Sequence, residues 1–159
     1  MKRTLIILLI LCLLLSLCAC GSDQDNSVRF YYLRTSDTIL YGQADALVAP
    51  VDRKISAQDA QLAYILQLYL DGPAEENYEN PFPQGTYLLS TLWAEDTLVL
   101  VLSREFSSLE GIRLSLSGAC LAATCHDLTG AEKIQVRSGE HIYDFSIHDF
   151  TFLDSSAGK

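Results

Sequence analysis

The residues with chemical potential fall into three groups, and spacing weighs against each. His126 and Asp127, with Ser115 and Ser117 upstream, are the residue types of a nucleophilic hydrolase. Adjacent residues on a helix project about 100° apart, so His126 and Asp127 do not make a base with its orienting carboxylate. Ser117 and His126 are separated by about 13 Å of helical rise. His141, Asp144, His148 and Asp149 are metal-ligating types, but in a strand His141 and Asp144 face opposite sides. Surface polar residues near a chain end account for them. Glu75, Glu76 and Glu79 suit a hard cation, yet the calcium-loop spacing is absent and a solvated acidic loop accounts for them. The chain has no phosphate loop, no Gly-x-Ser-x-Gly and no Cys-x-x-Cys. The expectation is a chain with no catalytic residues, no metal site and no cofactor.

The remaining reactive type is cysteine, present five times. Lys2 and Arg3 precede an apolar run over residues 5–17, interrupted only by Ser16. A membrane-spanning helix needs about 20 residues, so this run suits the core of a signal peptide. It ends in Leu17-Cys18-Ala19-Cys20-Gly21, which resembles a bacterial lipobox: a branched apolar residue at −3 and a small residue at −1 before a cysteine. That resemblance implies cleavage after residue 19 and diacylglycerylation of Cys20. Cys18 fits less well, because Leu17 would then occupy the small-residue site. Lipidation places the domain outside the cytoplasm, and two or three acyl chains anchor stably at about 0.8 kcal/mol per buried methylene. Residues 20–27 read as a short tether. Cys120 and Cys125 remain, about 140° apart on a helix and too far for an easy disulfide; they read as small buried residues.

Length and charge narrow the class further. The chain has 159 residues, and about 140 would remain after cleavage, enough for one domain with a modest core. All 20 acidic residues follow Cys20, so the remaining chain is strongly acidic, about −11. Such a surface repels phosphate backbones, and nucleic-acid binding is not expected.

The elements follow from periodicity and punctuation. Residues 28–34 read as an aromatic-rich strand and 47–51 as an edge strand or extended connector, with a solvated turn at Asp52-Arg53-Lys54. Ser56 and Asp59 suggest a capping box opening a helix. Leu62, Ile65, Leu66 and Tyr69 form its apolar face, and Gly72-Pro73 stops it. Residues 74–80 read as an acidic loop. Residues 86–93 and 97–103 form a hairpin around Ala94-Glu95-Asp96. A second helix spans 111–129 with Gly118 inside, where a glycine allows close packing against the sheet, and Gly130 ends it. Residues 133–137 and 141–146 are strands, and 150–153 pair weakly. This β-α-β-β-α-β order implies an α+β fold: a mixed β-sheet with two helices packed on one face. One domain spans 28–153, and 154–159 is a frayed tail.

Several of these stretches, in this order, resemble the GerMN domain family, the sporulation and spore germination module of bacteria. They are Val28-Arg-Phe-Tyr-Tyr32, Leu68-Tyr-Leu-Asp-Gly-Pro73, Pro83-Gln-Gly-Thr-Tyr-Leu-Leu89, Val101-Leu-Ser-Arg-Glu-Phe106, residues 114–128 and Lys133-Ile-Gln-Val136. The chain differs from the family where Val101 replaces a frequent Asp and Ser138-Gly139 replaces an Asp-Gly turn, and it carries one copy where some relatives carry two. The resemblance implies an extracytoplasmic, often lipid-anchored module acting in the envelope, sporulation or germination. It also implies likeness to ring-building modules, and it brings no catalytic residues.

If helices cover one face of the sheet, Tyr31, Leu33, Val99 and Val101 form an apolar set on the other. Exposed apolar patches mark partner surfaces, so this set is the expected partner face, for an envelope or spore protein or a second copy; the alternative is that residues 38–51 or the C-terminal tail cover it. The rival reading is a small-ligand or glycan-binding envelope lipoprotein, with a pocket near Trp93 and the acidic loop.

Overall fold

The computed structural model describes residues 26–35, 47–56 and 59–150. Its strands are β1 (Asn26–Arg34), β2 (Val48–Ile55), β3 (Tyr78–Glu79), β4 (Leu88–Ala94), β5 (Thr97–Leu102), β6 (Lys133–Ser138) and β7 (His141–Ser146). Helix α1 spans Leu62–Leu70 and α2 spans Gly111–Thr129, with 3-10 turns at Arg104–Ser108 and Ile147–Asp149. The expected signal, the expected lipidation residue Cys20 and the tail lie outside the described residues.

The class is α+β with mixed strand pairing, and the strands divide between two sheets. One has the order β2-β1-β3 and the other β4-β5-β6-β7. Within the second, β5 and β6 run parallel, connected through α2, and the other pairs are antiparallel. A parallel pair needs such a crossover, whereas the β4–β5 hairpin closes through Glu95-Asp96. Glu95 takes φ 57° in that turn, the left-handed backbone that tight hairpins require.

The core lies between the sheets and the helices. Phe30 and Tyr32 of β1, Tyr69 of α1, Phe82 and Phe106 are all buried. Their rings run in sequence: Phe30–Tyr69 and Tyr69–Phe82 centroids are 5.2 Å apart, and Phe82–Phe106 are 6.2 Å apart. These separations fall in the favourable range for tilted and edge-to-face aromatic pairs. Leu98, Leu100 and Leu102 of β5 and Ile134 and Val136 of β6 close the cluster.

Local rules explain where the elements stop. Gly72 takes φ +101° after α1, a conformation that favours glycine. A side chain there would also meet Asn80, whose amide donates to Leu70 O at 2.9 Å while its Oδ1 accepts from Phe82 N. Asn80 therefore caps the helix end and bends the chain toward β4. Gly130 ends α2 with φ 75°, its amide bonded to His126 O.

Four readings need correction. Asp52-Arg53-Lys54 is not a turn: β2 continues to Ile55, with Val51 and Ile55 buried and Asp52 and Lys54 exposed in strict alternation. Asp52 faces Arg29 across the pair and accepts from its Nε at 2.9 Å. The helix expected from Ser56 begins later, at Leu62, with Gln61 at the cap position and no side-chain cap. Ser56 and Asp59 bond each other instead, in a local turn. The acidic loop contains a short strand, β3, which pairs with Leu33 and Arg34. The single sheet is two, because β1 pairs with β2 and β3 and not with the central hairpin.

Gly118 is the tightest point between α2 and the four-stranded sheet. A β-carbon there would overlap the Phe145 ring. Gly118→Ala is expected to lower stability in urea unfolding by about 1–3 kcal/mol through overpacking, although alanine gains about 1 kcal/mol of helix propensity. Phe145→Leu should absorb most of that loss, and a stabilised Gly118→Ala variant contradicts the close approach.

Candidate functional site

The four residues of the expected partner face do not share a face. Tyr31 and Leu33 belong to β1 in the three-stranded sheet, and Val99 and Val101 to β5 in the four-stranded sheet. One face of β1 is buried and the other partly so. Phe30 and Tyr32 point into the aromatic core, while Tyr31 faces α2 and its hydroxyl donates to Asp127 Oδ2 at 3.1 Å. Burial first, and then the Asp127 charge, push the Tyr31 phenol up. Leu33 is half-buried and lines a small hollow of about 210 Å³ with Pro81, Leu109 and Leu116.

Val99 and Val101 do face away from the core side of β5, but they offer little surface. Val99 is only 1% exposed. It lies between Leu92 and Gln135 on the neighbouring strands, and a small side chain on an inner strand is covered by longer neighbours. Around it the face is largely polar. Gln135 donates to Asp144 at 2.9 Å, and Arg137 donates to Gln135 at 2.8 Å. Leu92 and Ile142 are the exposed large apolar residues there.

The groups considered for catalysis are engaged structurally. Ser117 is buried and donates to Pro81 O at 2.6 Å, tying α2 to the loop before β4. Ser115 bonds back to Gly111 O. His126 Nδ1 sits 3.2 Å from Ala131 O, and the hydroxyl aimed at Asp127 is that of Tyr31. His148 and Asp149 belong to a capped 3-10 turn: Ser146 Oγ accepts from the His148 amide, and Asp149 accepts from the Ser146 amide. Asp144 is held by Gln135, and His141 stacks on Tyr143 at 6.0 Å. Among the described residues no three His, Cys, Asp or Glu side chains gather as a metal site would require.

The hollows are shallow and scattered. One lies beside the start of β4 and includes Asp71, Asn80, Gly85 and Tyr87. Another is bounded by Arg29, Asp52 and Asp127. Trp93 lines neither of these, nor the hollow at Leu33. It is half-exposed on β4, with Leu89 and Leu92 nearby on the same strand. The expected face drew on β1 and β5 and did not include β4, whose residues Leu88 to Ala94 contain no charge.

Cys120 and Cys125 are free and fully buried in α2. Desolvation holds the Cys125 thiol up at about 12 and raises Cys120 further. Neither is a reactive nucleophile, because the thiolate is what reacts.

The folded chain is thus a two-sheet α+β module. Residues 29–141 match the Germane family, described as sporulation and spore germination, and the chain belongs to that family. The fold is shared with the first GerMN domain of the sporulation protein GerM from Bacillus subtilis. The alignment has 15% identity and a TM-score of 0.53, covering 74% of this chain and 86% of that one. The tandem GerMN domains of the same protein align with 13% identity and a TM-score of 0.56, over 77% of this chain and 43% of that one. No curated protein matches the sequence.

The buried acids give a pH prediction. Tyr32, Tyr69, Cys120 and Cys125 all have proton affinities raised by desolvation. The unfolded chain releases these protons near the ordinary thiol and phenol values of 9.0 and 10.0, whereas the folded chain keeps them. Stability should be complete below about pH 9 and fall as pH rises above it, because the native state then binds more protons than the unfolded one. Thermal unfolding from pH 7 to 11 reads this directly. Cys125→Ala should flatten the decline, and a melting temperature constant to pH 11 contradicts it.

Proposed function

We propose that this chain is a lipid-anchored, extracytoplasmic interaction module of the bacterial envelope, acting in sporulation or germination, and that it is not an enzyme. The observation that carries this reading is membership of the sporulation and spore germination family across residues 29–141. That domain follows, a few residues on, from the lipobox-like Leu17-Cys18-Ala19-Cys20. The described residues contain no helix long and apolar enough to cross a membrane, and the attachment proposed is the acylated Cys20.

The absence of enzymatic activity draws support from the uses already made of the polar groups. The serines, histidines and carboxylates that a hydrolase would need hold helix ends, turns and strand pairs. The net charge of −9 favours a protein partner over nucleic acid.

Cys20→Ala tests the anchoring. Expressed in a Gram-positive host fed a palmitate analogue, the native chain should carry the label and sediment with membranes. The variant should lose the label. Equal labelling of both, or a native chain found only in the cytoplasm, contradicts the reading. Deletion in a spore-forming host should lower sporulation or germination efficiency, and restoration by the Cys20→Ala form would show that the anchor is dispensable.

A further inference from the structure

β4 is an edge strand without the usual protection of an edge. Among the described residues it pairs with β5 on one side and with no strand on the other. Soluble proteins guard such edges with charges, prolines, bulges or covering segments. The opposite edge of the same sheet, β7, carries His141 and Asp144. β4 reads Leu-Leu-Ser-Thr-Leu-Trp-Ala, with neither charge nor proline. Only its beginning is guarded: the Leu88 amide donates to Gln67 Oε1 of α1 at 2.9 Å, and the register shifts between Leu88 and Ser90. Past that point the outer edge has no strand beside it among the described residues. Tyr64, Tyr87, Leu89, Leu92 and Trp93 are exposed on β4, just before it, or on the α1 helix packed against it. An added strand would bring its own side chains against them.

The charges at the two ends of β4 define what fits. Asp71 accepts from Gln67 Nε2 at 2.8 Å, and the same Gln67 holds Leu88, so a carboxylate stands at the start of the strand. The hollow there has a volume of about 490 Å³, and Asp71 is its one charged lining residue. At the far end the turn is Glu95-Asp96. Lys133 pairs with Asp96 at 2.6 Å and is one cation against Glu95, Asp96 and Glu132, so the turn stays acidic. A second copy pairing antiparallel would set Glu95 of one chain near Asp71 of the other, like against like. A strand with basic ends meets a carboxylate at each end in either direction.

We propose that the β4 edge receives an extended segment of a partner protein, about five residues of alternating apolar and small polar type, with Lys or Arg at its ends. Backbone hydrogen bonds to the open edge supply affinity, and the alternate side chains and basic ends supply specificity. The proposal locates the interaction role given above on one strand, and it rests on that role.

The test offers a displayed library of random nine-residue peptides to the full chain in detergent micelles. Enriched peptides should alternate apolar residues and carry basic ends. Leu92→Lys should weaken them about fivefold or more, through the lost cross-strand pair and the added like charge. Ser90→Lys serves as a second edge variant should Leu92→Lys fail to fold by circular dichroism. Asp71→Lys should remove the preference for a basic residue at one end only. Enriched peptides without basic ends, or no enrichment, overturn the proposal. Sedimentation showing a native dimer that Leu92→Lys dissociates overturns it in favour of a second copy. Peptides that bind the edge variants as well as the native chain remove β4 from the interaction and leave the interaction role standing.

Discussion

At Tyr31 the backbone of β1 is bonded from two helices at once. Its amide donates to Thr124 Oγ1 of α2 at 2.9 Å, and its carbonyl accepts from the Tyr69 hydroxyl of α1 at 3.0 Å. On its other edge β1 is paired with β2 along most of its length, but β3 reaches only Leu33 and Arg34. The two hydroxyls bond the Tyr31 peptide groups beneath the helices. A buried polar group left without a partner costs about 1–3 kcal/mol. The arrangement is reciprocal, because the Tyr32 hydroxyl donates to Tyr69 O at 2.9 Å. Three residues of β1 and α1 and one of α2 therefore fix how the three-stranded sheet sits against both helices, and the aromatic core forms around that joint.

This joint explains which parts of the fold were legible. The ends of α2 were read correctly, since Gly111 and Gly130 bracket a continuous helical pattern and both effects are local. The same holds for Gly72, for Gly118, and for β7. The division into two sheets was not legible. Val28-Arg-Phe-Tyr-Tyr-Leu-Arg34 is apolar on both sides, and alternation does not say whether the second side meets solvent, a helix or another strand. Here it meets α2, and the strand's outer edge is completed by side chains more than 35 residues away in the sequence. Long-range capping of this kind leaves no periodic trace.

The division of the expected partner face between two sheets has the same origin. Val99 and Val101 look like the apolar half of an open surface because their side chains point away from the core. Yet β5 is an inner strand, flanked by β4 and β6, and burial there is set by neighbours across the sheet. Leu92 and Gln135 stand beside Val99 on the two neighbouring strands. Exposure instead appears where a strand has only one neighbour. The informative feature was therefore position within the sheet, which follows from topology, while the composition that makes β4 unusual was already written in residues 88–94.

The proposed lipid attachment and the uncharged edge fit together physically. An exposed apolar edge in a freely diffusing protein invites pairing with any unfolded strand. The acidic ends of β4 and the strongly negative surface oppose pairing between copies, since approaching chains of the same sign repel within a Debye length of about 8 Å at physiological salt. Confinement to a membrane plane raises the encounter rate with any partner held in the same plane, so a short edge contact suffices where a three-dimensional search would need a larger interface. An edge of five open residues is small by the standard of stable protein interfaces, which bury roughly 1,200–2,000 Å². A contact of this size gains from local concentration, and the proposed anchor at Cys20 and the proposed contact at β4 therefore support one another.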